Sequence, residues 1–256
     1  MNVRKIISDK WEKTEVLSRH LDLREFVPVT KPIQNRHTLK EMLEIYRMVY
    51  VKPVHGMHGK GVARVEWDET NAEHPYKYQL GLQIAEFADF NEMYEDLKVK
   101  MKGKKYLVQQ GIHMLQHNAC DFDIRVMVQK SPSQEWKVTG MIGRVAEDGR
   151  VVTNVHSGGK LRPIELLLQS YMSSEAQKTF ISLLKQQGLR VAEAMYEEYR
   201  GVNQLGLDIA TDKYLKPWIL EVNTTPDPYI FLKLQDKRIF SRVIRYTKYN
   251  RRFNSH

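Results

Sequence analysis

Apolar and polar positions alternate along the chain in blocks that predict both helices and strands. Near the N-terminus, Ser8 and Asp9 are candidate helix caps, and the partial apolar stripe that follows predicts a short helix. Pro28 and Pro32 disfavour helix in the next segment, which is therefore predicted to be extended. From Thr38, apolar residues recur at helical spacing and predict a second, amphipathic helix.

The middle of the chain is dominated by strand patterns. In residues 49–67, β-branched residues flank a glycine-rich loop, which predicts a strand–loop–strand hairpin. Only one helix, in residues 89–101, is predicted between this hairpin and the next strand at residues 105–114. Residues 121–155 then predict a run of antiparallel strands, the last of them at residues 150–155.

The C-terminal third predicts helices, a hairpin and a basic tail. Residues 164–200 are predicted to be helical, with a turn around Ser173-Ser174. The apolar runs LGLDIA and PWILEV flank a polar turn at residues 211–216 and predict a β-hairpin. The tail after Lys233 is basic with interleaved aromatic residues and is predicted to be a solvated terminal helix; contact with RNA or with an acidic surface is the alternative.

The C-terminal hairpin carries a candidate metal site. Glu221 and Asn223 are two residues apart, so on a strand both side chains leave the same face. Asp208, on the partner strand, is placed to face the same way. Three hard oxygen ligands on one sheet face suit Mg²⁺. Ordinary polar residues of a hairpin would give the same pattern, so the sequence leaves both interpretations open.

The glycine-rich hairpin is a candidate phosphate site. Its loop contains Gly56, Gly59 and Gly61, and its backbone N–H groups are able to point at phosphate oxygens. Lys52, just before the loop, would reach the phosphates as a point charge. Walker and Rossmann loops lead from a strand into a helix, so a strand–loop–strand pattern does not match them. A flexible turn is the alternative.

Charged residues also interrupt the central strands. Asp123, Arg125 and Arg144 stand where a packed sheet favours apolar side chains, and arginines near phosphates stabilise charge that develops during group transfer. An Asp–Arg pair at a sheet edge is the alternative for each residue. The loop NVHSGGK at 154–160 is suited to binding a carboxylate or phosphate. The alternative is that it is only a turn between two elements. VQQGI at 108–112 is suited to lining an adenine pocket, or is an ordinary buried strand.

Composition narrows the class of protein. A length of 256 residues suits one large domain or two closely packed lobes, and 42% hydrophobic with 28% charged residues is typical of a soluble globular protein. No apolar run is long enough for a membrane span, and the N-terminus lacks a signal-peptide core, so no membrane association is expected. Cys120 is the only cysteine, which fits a reducing cytoplasm. The net charge of +9 indicates an anionic partner, either nucleic acid or a nucleotide polyphosphate with an acidic substrate.

Taken together and in order, these motifs resemble the ATP-grasp superfamily, and most closely its endospore coat-associated YheC/YheD-type proteins. The loop NVHSGGK is also similar to the corresponding loop of RimK-type glutamate ligases and glutathione synthetases. The resemblance covers residues 8–233, and each motif is loose by itself, whereas their order and spacing are specific. The segments that carry it are DKW at 9–11, VKPVHGMHGKGV at 51–62, DFDIRVMVQ at 121–129, GLDIA at 206–210 and WILEVNTTP at 218–226.

The resemblance implies a role for each matching position. It implies that Arg125 and Arg144 lie near the γ-phosphate as catalytic cations, and that Mg²⁺ is held by the three hairpin residues Asp208, Glu221 and Asn223. Residues implied to bind ATP are Lys10, Lys52, Gly56, Gly59, Lys60, Gly61, Gln109, Gln110, Ile112 and Asp123, with residues 56–61 as the flap over the triphosphate. Residues implied to meet the substrate are Asn154, His156, Ser157, Gly158 and Gly159.

The implied fold is α+β, with ATP between two α/β lobes. The ATP-grasp domain is expected over residues 1–233, with a smaller lobe at about 38–108, a larger lobe at about 109–233 and a basic tail at 234–256. Only eight residues precede the DKW motif, so the separate N-terminal domain of such ligases is expected to be absent. A partner subunit or a second copy of the chain would then complete the acceptor site.

The implied activity is ATP- and Mg²⁺-dependent ligation of a carboxylate to an amine or related nucleophile through an acyl phosphate. The alternative is a non-catalytic, ATP-binding, spore-associated structural or assembly protein. The co-substrates are not identified, although acidic ones would suit the positive charge, and nucleic acid is not the expected partner. A cytoplasmic, spore-associated location is expected.

Overall fold

The computed structural model describes residues 6–56 and 59–252, and it shows two antiparallel β-sheets with helices packed against them. The predicted α+β class is confirmed. Among the described residues, no helix is both long enough and apolar enough to span a bilayer. The helices are α1 (Lys10–Arg19), α2 (Arg36–Tyr46), α3 (Phe90–Met101), α4 (Ile164–Leu168), α5 (Ser174–Glu198) and α6 (Lys237–Arg252).

The first sheet has six strands in the order β1-β6-β2-β3-β4-β5. Helices α2 and α3 bury their apolar faces in the same core as the central strands, through residues such as Leu39, Met42 and Met93. The predicted glycine hairpin is present as β2 paired with β3. The strands are β1 (Thr30–Pro32), β2 (Met48–Pro53), β3 (Ala63–Trp67), β4 (Tyr76–Leu80), β5 (Gln83–Phe87) and β6 (Tyr106–Gln110).

The second sheet is ordered β10-β9-β8-β11-β12, with the short β7 paired to β8. The predicted C-terminal hairpin is present as β11 paired with β12. Its strands are β7 (Gln116–His117), β8 (Cys120–Lys130), β9 (Trp136–Val145), β10 (Lys160–Arg162), β11 (Gln204–Thr211) and β12 (Pro217–Asn223).

Helices α5 and α1 cover one face of the second sheet. A Cβ added at Gly188 of α5 would lie 3.1 Å from Val128, so the glycine lets the helix approach the strands closely. Helix α1 packs on α5 and buries Val16 and Leu17 in the core of this sheet. The N-terminal helix, predicted with Ser8 and Asp9 as candidate caps and observed with Asp9 as its N-cap, therefore packs with the second sheet.

Helix α6 differs from the prediction of a solvated tail. Val243, Thr247 and Asn250 are almost fully buried on its inner side. The Thr247 hydroxyl accepts a hydrogen bond from Gln129, and the Asn250 amide donates to the Lys130 carbonyl. These positions give the helix a face that packs on the second sheet, where Arg242 also donates to the Thr139 carbonyl, whereas Lys237, Arg238, Arg245, Lys248 and Arg251 are exposed. Residues 253–256 of the predicted tail lie outside the described range.

Two other strand predictions need correction. The hairpin of β4 and β5 was not predicted, because it lies in a polar region. Tyr78 is the only buried residue of these two strands. Residues 150–155, predicted to be a strand, form no ladder, and the strand that pairs with β9 is β10 instead. Val151 and Thr153 point inward here because the segment lines the cavity between the sheets rather than pairing with a strand.

Candidate functional site

A cavity of about 270 Å³ lies between the two sheets and brings together most of the predicted site residues. The first sheet and its glycine loop supply one wall, and the second sheet with the loops at residues 151–156 and 224–230 supplies the other. Predicted site residues that line it are Lys10, Lys52, Gly56, Gly59, Lys60, Gln109, Ile112, Asp123, Arg125, Arg144, Asn154, His156, Asp208, Glu221 and Asn223.

Five predicted residues do not line this cavity. The Gln110 side chain accepts a hydrogen bond from the Val29 backbone, because neighbouring strand residues face opposite sides. Gly61 lies against Tyr106. The other three are Ser157, Gly158 and Gly159, which belong to the turn after His156. In this turn, Gly158 packs on the Glu147 carboxylate.

Lys52 is the most deeply buried cation on the first-sheet wall. Its ammonium group donates to the Gln109 side chain at 2.7 Å and to the Leu220 carbonyl at 3.1 Å. Burial lowers the pKa of Lys52 to about 8, and the nearby Glu221 only partly offsets this effect. Gln109 in turn donates to Thr30, so its side chain orients the lysine.

Helix α1 adds two further lysines. Lys10 donates to the Gly56 carbonyl at 2.7 Å and lies 3.6 Å from the Glu221 carboxylate. Lys13, which the sequence analysis missed, is 5% exposed, and burial lowers its pKa although Glu221 acts to raise it. The sequence did contain a signal for Lys13: it is three residues after Lys10 on the predicted helix, and residues at this spacing share a helix face. Three lysine charges therefore act on one carboxylate.

Arg144 links two aspartates at the floor of the cavity. Its guanidinium donates to Asp123 at 2.8 Å through Nε and lies 3.0 Å from Asp208, while Arg125 donates to Asp208 at 2.5 Å. Burial would raise the pKa of Asp208, but Arg125 and Arg144 outweigh it, so the net pKa is lowered. Burial likewise acts to lower the pKa of Arg144, and the two aspartates reverse this and raise it. Thr153 also donates to Asp123.

The three predicted metal ligands lie on one face of the second sheet. Asp208 and Glu221 are direct partners in the register of β11 and β12, and Asn223 lies 3.5 Å from the Asp208 carboxylate. Two carboxylates and one amide form a donor set of hard oxygens that fits Mg²⁺. Among the described residues, no group of three His, Cys, Asp or Glu side chains is arranged to hold a metal, so the amide is needed to complete the set.

The glycine loop lies close to the opposite wall. Gly59 has a φ of +71°, and a Cβ there would be 3.0 Å from the Asn154 amide and 3.2 Å from Val152. Only glycine allows this backbone conformation and approach without displacement. Met57 and His58, within the predicted flap, lie outside the described residues.

The cavity also has residues that the sequence analysis did not assign. Beyond β12, exposed and buried positions continue to alternate, so Thr225 and Asp227 follow Asn223 along the cavity side. In the sequence, the polar residues at alternate positions of NTTPDP (223–228) were the signal that could have identified them. The other unassigned lining residues are Tyr50, Pro53, Val62, Met114, Val151, Val152, Thr153, Val155, Leu220, Pro226 and Ile230.

Comparison with known families gives a match over nearly the whole chain. The family described as "YheC/D like ATP-grasp" matches residues 2–249. The matched range contains every candidate site residue.

Two curated relatives from Bacillus subtilis (strain 168) are similar at low identity. The endospore coat-associated protein YheD is 21% identical over 230 residues, which cover 89% of this chain and 50% of that protein. The endospore coat-associated protein YheC is 23% identical over 235 residues, which cover 91% of this chain and 63% of that protein. The chain thus spans between half and just under two thirds of the length of these relatives.

A solved structure shows the same fold. The carboxyaminoimidazole ribonucleotide synthase from Aspergillus clavatus, crystallised with ATP, superposes with a TM-score of 0.55 at 12% identity. The match covers 94% of this chain and 51% of that one.

Proposed function

The chain belongs to the YheC/YheD-like ATP-grasp family, and from this premise we propose that it is an ATP- and Mg²⁺-dependent ligase. It would join a carboxylate to an amine, or to a related nucleophile, through an acyl phosphate. The observation that carries the proposal is the distribution of charge in the cavity, where the buried Lys10 and Lys52 lie beside the strand that carries Glu221 and Asn223 of the carboxylate–amide donor set.

Each wall of the cavity suits a different part of MgATP. When bound, ATP would supply the phosphoryl group and Mg²⁺ would neutralise charge on the phosphates. Lys10 and Lys52 would bind phosphate oxygens, since each ammonium group donates to a backbone carbonyl, a weaker partner that a phosphate would replace, and Lys10 also lies 3.6 Å from Glu221. Ile112 and Met114 give the cavity an apolar part that suits the adenine ring.

The arginines would act on the transferred group. In the proposed reaction, a carboxylate oxygen attacks the γ-phosphorus and ADP leaves. The amine then attacks the acyl carbon, inorganic phosphate leaves with the electron pair of the C–O bond, and the nitrogen gives up one proton to the departing phosphate. Arg125 and Arg144 are held rigidly by aspartates, so they would present fixed positive charge without reorganisation. We expect Asn154 and His156 to meet the substrate at the same end.

ADP release tests this proposal. The protein is incubated with ATP, Mg²⁺ and a panel of amino acids and short acidic peptides, and ADP is measured by a coupled assay. Substrate-dependent release that is lost in Lys52→Ala is the expected result. ATP binding without ADP release from any carboxylate would contradict ligase activity while leaving nucleotide binding intact.

One observation favours a second candidate, a non-catalytic ATP-binding protein. Both arginines assigned to catalysis already form buried ion pairs with aspartates, so their positive charge is balanced before any phosphoryl group binds. The names of the two relatives also motivate a spore-associated role in assembly. MgATP-dependent binding to coat material, with no ADP release, would support this candidate over the ligase.

A further inference from the structure

We propose that Asp227 determines substrate specificity by binding a cationic group of the acceptor, other than the nitrogen that attacks. This inference rests on the proposed function, because it assigns the acceptor end of the same cavity. Asp227 follows the metal-site strand by four residues and lines the cavity together with Thr225 and Pro226.

The position of Asp227 follows from the alternation that continues past β12. Glu221 and Asn223 are half-buried, Thr225 and Asp227 are exposed, and the intervening residues are buried. Within β12, a period of two places Glu221 and Asn223 on one side of the strand. Past the end of the strand, Thr225 and Asp227 remain the exposed residues, and both line the cavity.

The backbone around Asp227 is held in place at several points. Proline on each side restricts the local φ angles, and both Pro226 and Pro228 are buried. Pro226 packs on Gly206, where an added Cβ would be only 2.7 Å away. Farther along, Phe231 is completely buried beneath the second sheet.

The carboxylate itself is oriented by the chain. Its Oδ1 accepts a hydrogen bond from the Tyr229 backbone N–H at 2.9 Å, and within residues 6–56 and 59–252 no hydrogen bond to Oδ2 is found. One oxygen is thus held by the backbone, and the other is available to a ligand group. A preorganised group binds its partner with a smaller loss of conformational entropy.

The charge balance of the cavity indicates what Asp227 binds. Asp123, Asp208 and Glu221 each lie within ion-pair distance of a lysine or arginine. Within residues 6–56 and 59–252, Asp227 is the cavity carboxylate for which no such cation is found. An exposed, fixed and unpaired carboxylate selects a positively charged ligand group and repels a negative one.

A matched series of amines tests the inference. The three probes are 1,5-diaminopentane, pentylamine and 5-aminopentanoate, which share one amino end and differ in the charge of the far end. Each is titrated by calorimetry into the protein with and without MgADP. The variants are Asp227→Asn, which keeps the acceptor for the Tyr229 N–H, and Asp227→Arg, with Glu175→Gln on the exposed surface of α5 as the control.

We expect the wild-type protein to bind the diamine about fivefold more tightly than pentylamine, as for a partly exposed ion pair. Asp227→Asn removes this preference, Asp227→Arg moves it to 5-aminopentanoate, and Glu175→Gln leaves it unchanged. Equal binding of the three probes by the wild type, no measurable binding, or a preference that survives in Asp227→Asn overturns the inference. Failure of MgADP to bind counts against the proposed function instead, and the nucleotide-free titrations still decide the role of Asp227.

Discussion

The ammonium group of Lys52 lies 3.1 Å from the backbone carbonyl oxygen of Leu220, so a side chain of the first sheet is hydrogen-bonded to the backbone of the second. A β-bulge makes this contact available. Asp208 pairs with Glu221, and Ile209 then pairs with Ile219, so Leu220 is the extra residue without a ladder partner. Strand β12, which carries two of the proposed metal ligands, is therefore hydrogen-bonded directly to Lys52, the proposed phosphate ligand.

Replacement of Lys52 by methionine should weaken ATP binding without unfolding the protein. Lys52→Met keeps the apolar stem and removes the ammonium group. The loss of one charge-assisted hydrogen bond to a phosphate corresponds to about 1.5–3 kcal/mol, or roughly a 10- to 150-fold increase in Kd. The Kd for ATP is measured by calorimetry, and Lys178→Met on the exposed surface of α5 is the control. An unchanged Kd for Lys52→Met would contradict the assignment.

The same variant gives a pH-dependent stability effect. The pKa of Lys52 is lowered to about 8 in the folded protein, below the value of about 10.4 for an unfolded chain. Between these values the unfolded chain binds a proton that the folded protein does not, so stability from this group rises with pH from 8 to 10.4. In urea unfolding, the free energy of unfolding of Lys52→Met relative to that of the wild type should be highest below pH 8. This difference should shrink toward pH 10. A difference independent of pH would contradict the lowered pKa.

The approach of the glycine loop to the opposite wall is tested by a pair of alanine substitutions. Gly59 and Gly81 have similar positive φ angles of +71° and +66°, but an added Cβ meets Asn154 and Val152 only at Gly59 and meets nothing within 4 Å at Gly81. Both variants carry the backbone cost of roughly 1 kcal/mol. Only Gly59→Ala should also weaken ATP binding, measured by calorimetry. Equal ATP affinities in the two variants would show that the contact has no role.

Arg144 is predicted to be important for stability as well as for turnover. Arg144→Met leaves Asp123 and Asp208 buried without their shared cation, which should lower the free energy of unfolding by about 3–5 kcal/mol. Arg190, which forms exposed ion pairs, is the control, and Arg190→Met should have a much smaller effect in the same urea titration. Similar losses in both variants would contradict the importance of the buried pair.

The sequence was most informative where local periodicity determines the geometry. The two-residue spacing of Glu221 and Asn223 predicted a common face, and the register of the hairpin places Asp208 opposite Glu221. The candidate cap at Asp9 and the turn predicted at Ser173-Ser174 likewise marked the starts of α1 and α5, where Asp9 and Ser173 are the observed N-caps. These features depend on neighbours within one or two elements.

Features that depend on distant parts of the chain were not predicted. Lys13 is linked to the candidate site mainly through the charge of Glu221, which is 208 positions later in the sequence. Residues 150–155 have a strand pattern, but their inward side chains face the cavity instead of a neighbouring strand. The burial of Thr247 could not be inferred from a basic tail, because it depends on a hydrogen bond with Gln129 of the second sheet.

The account is tested most directly by calorimetric titration of ATP with Mg²⁺ and with EDTA, in wild type and Glu221→Gln. Glu221 lies beside lysines that would bind phosphate and is also a predicted Mg²⁺ ligand, so removing its charge should have opposite effects in the two conditions. We predict that the wild type binds ATP more tightly with Mg²⁺ than without it. Glu221→Gln should lose most of that gain while binding metal-free ATP at least as tightly as the wild type. Wild-type affinity that is independent of Mg²⁺, or a Mg²⁺ effect that is unchanged in Glu221→Gln, would contradict a nucleotide–metal site between the two sheets.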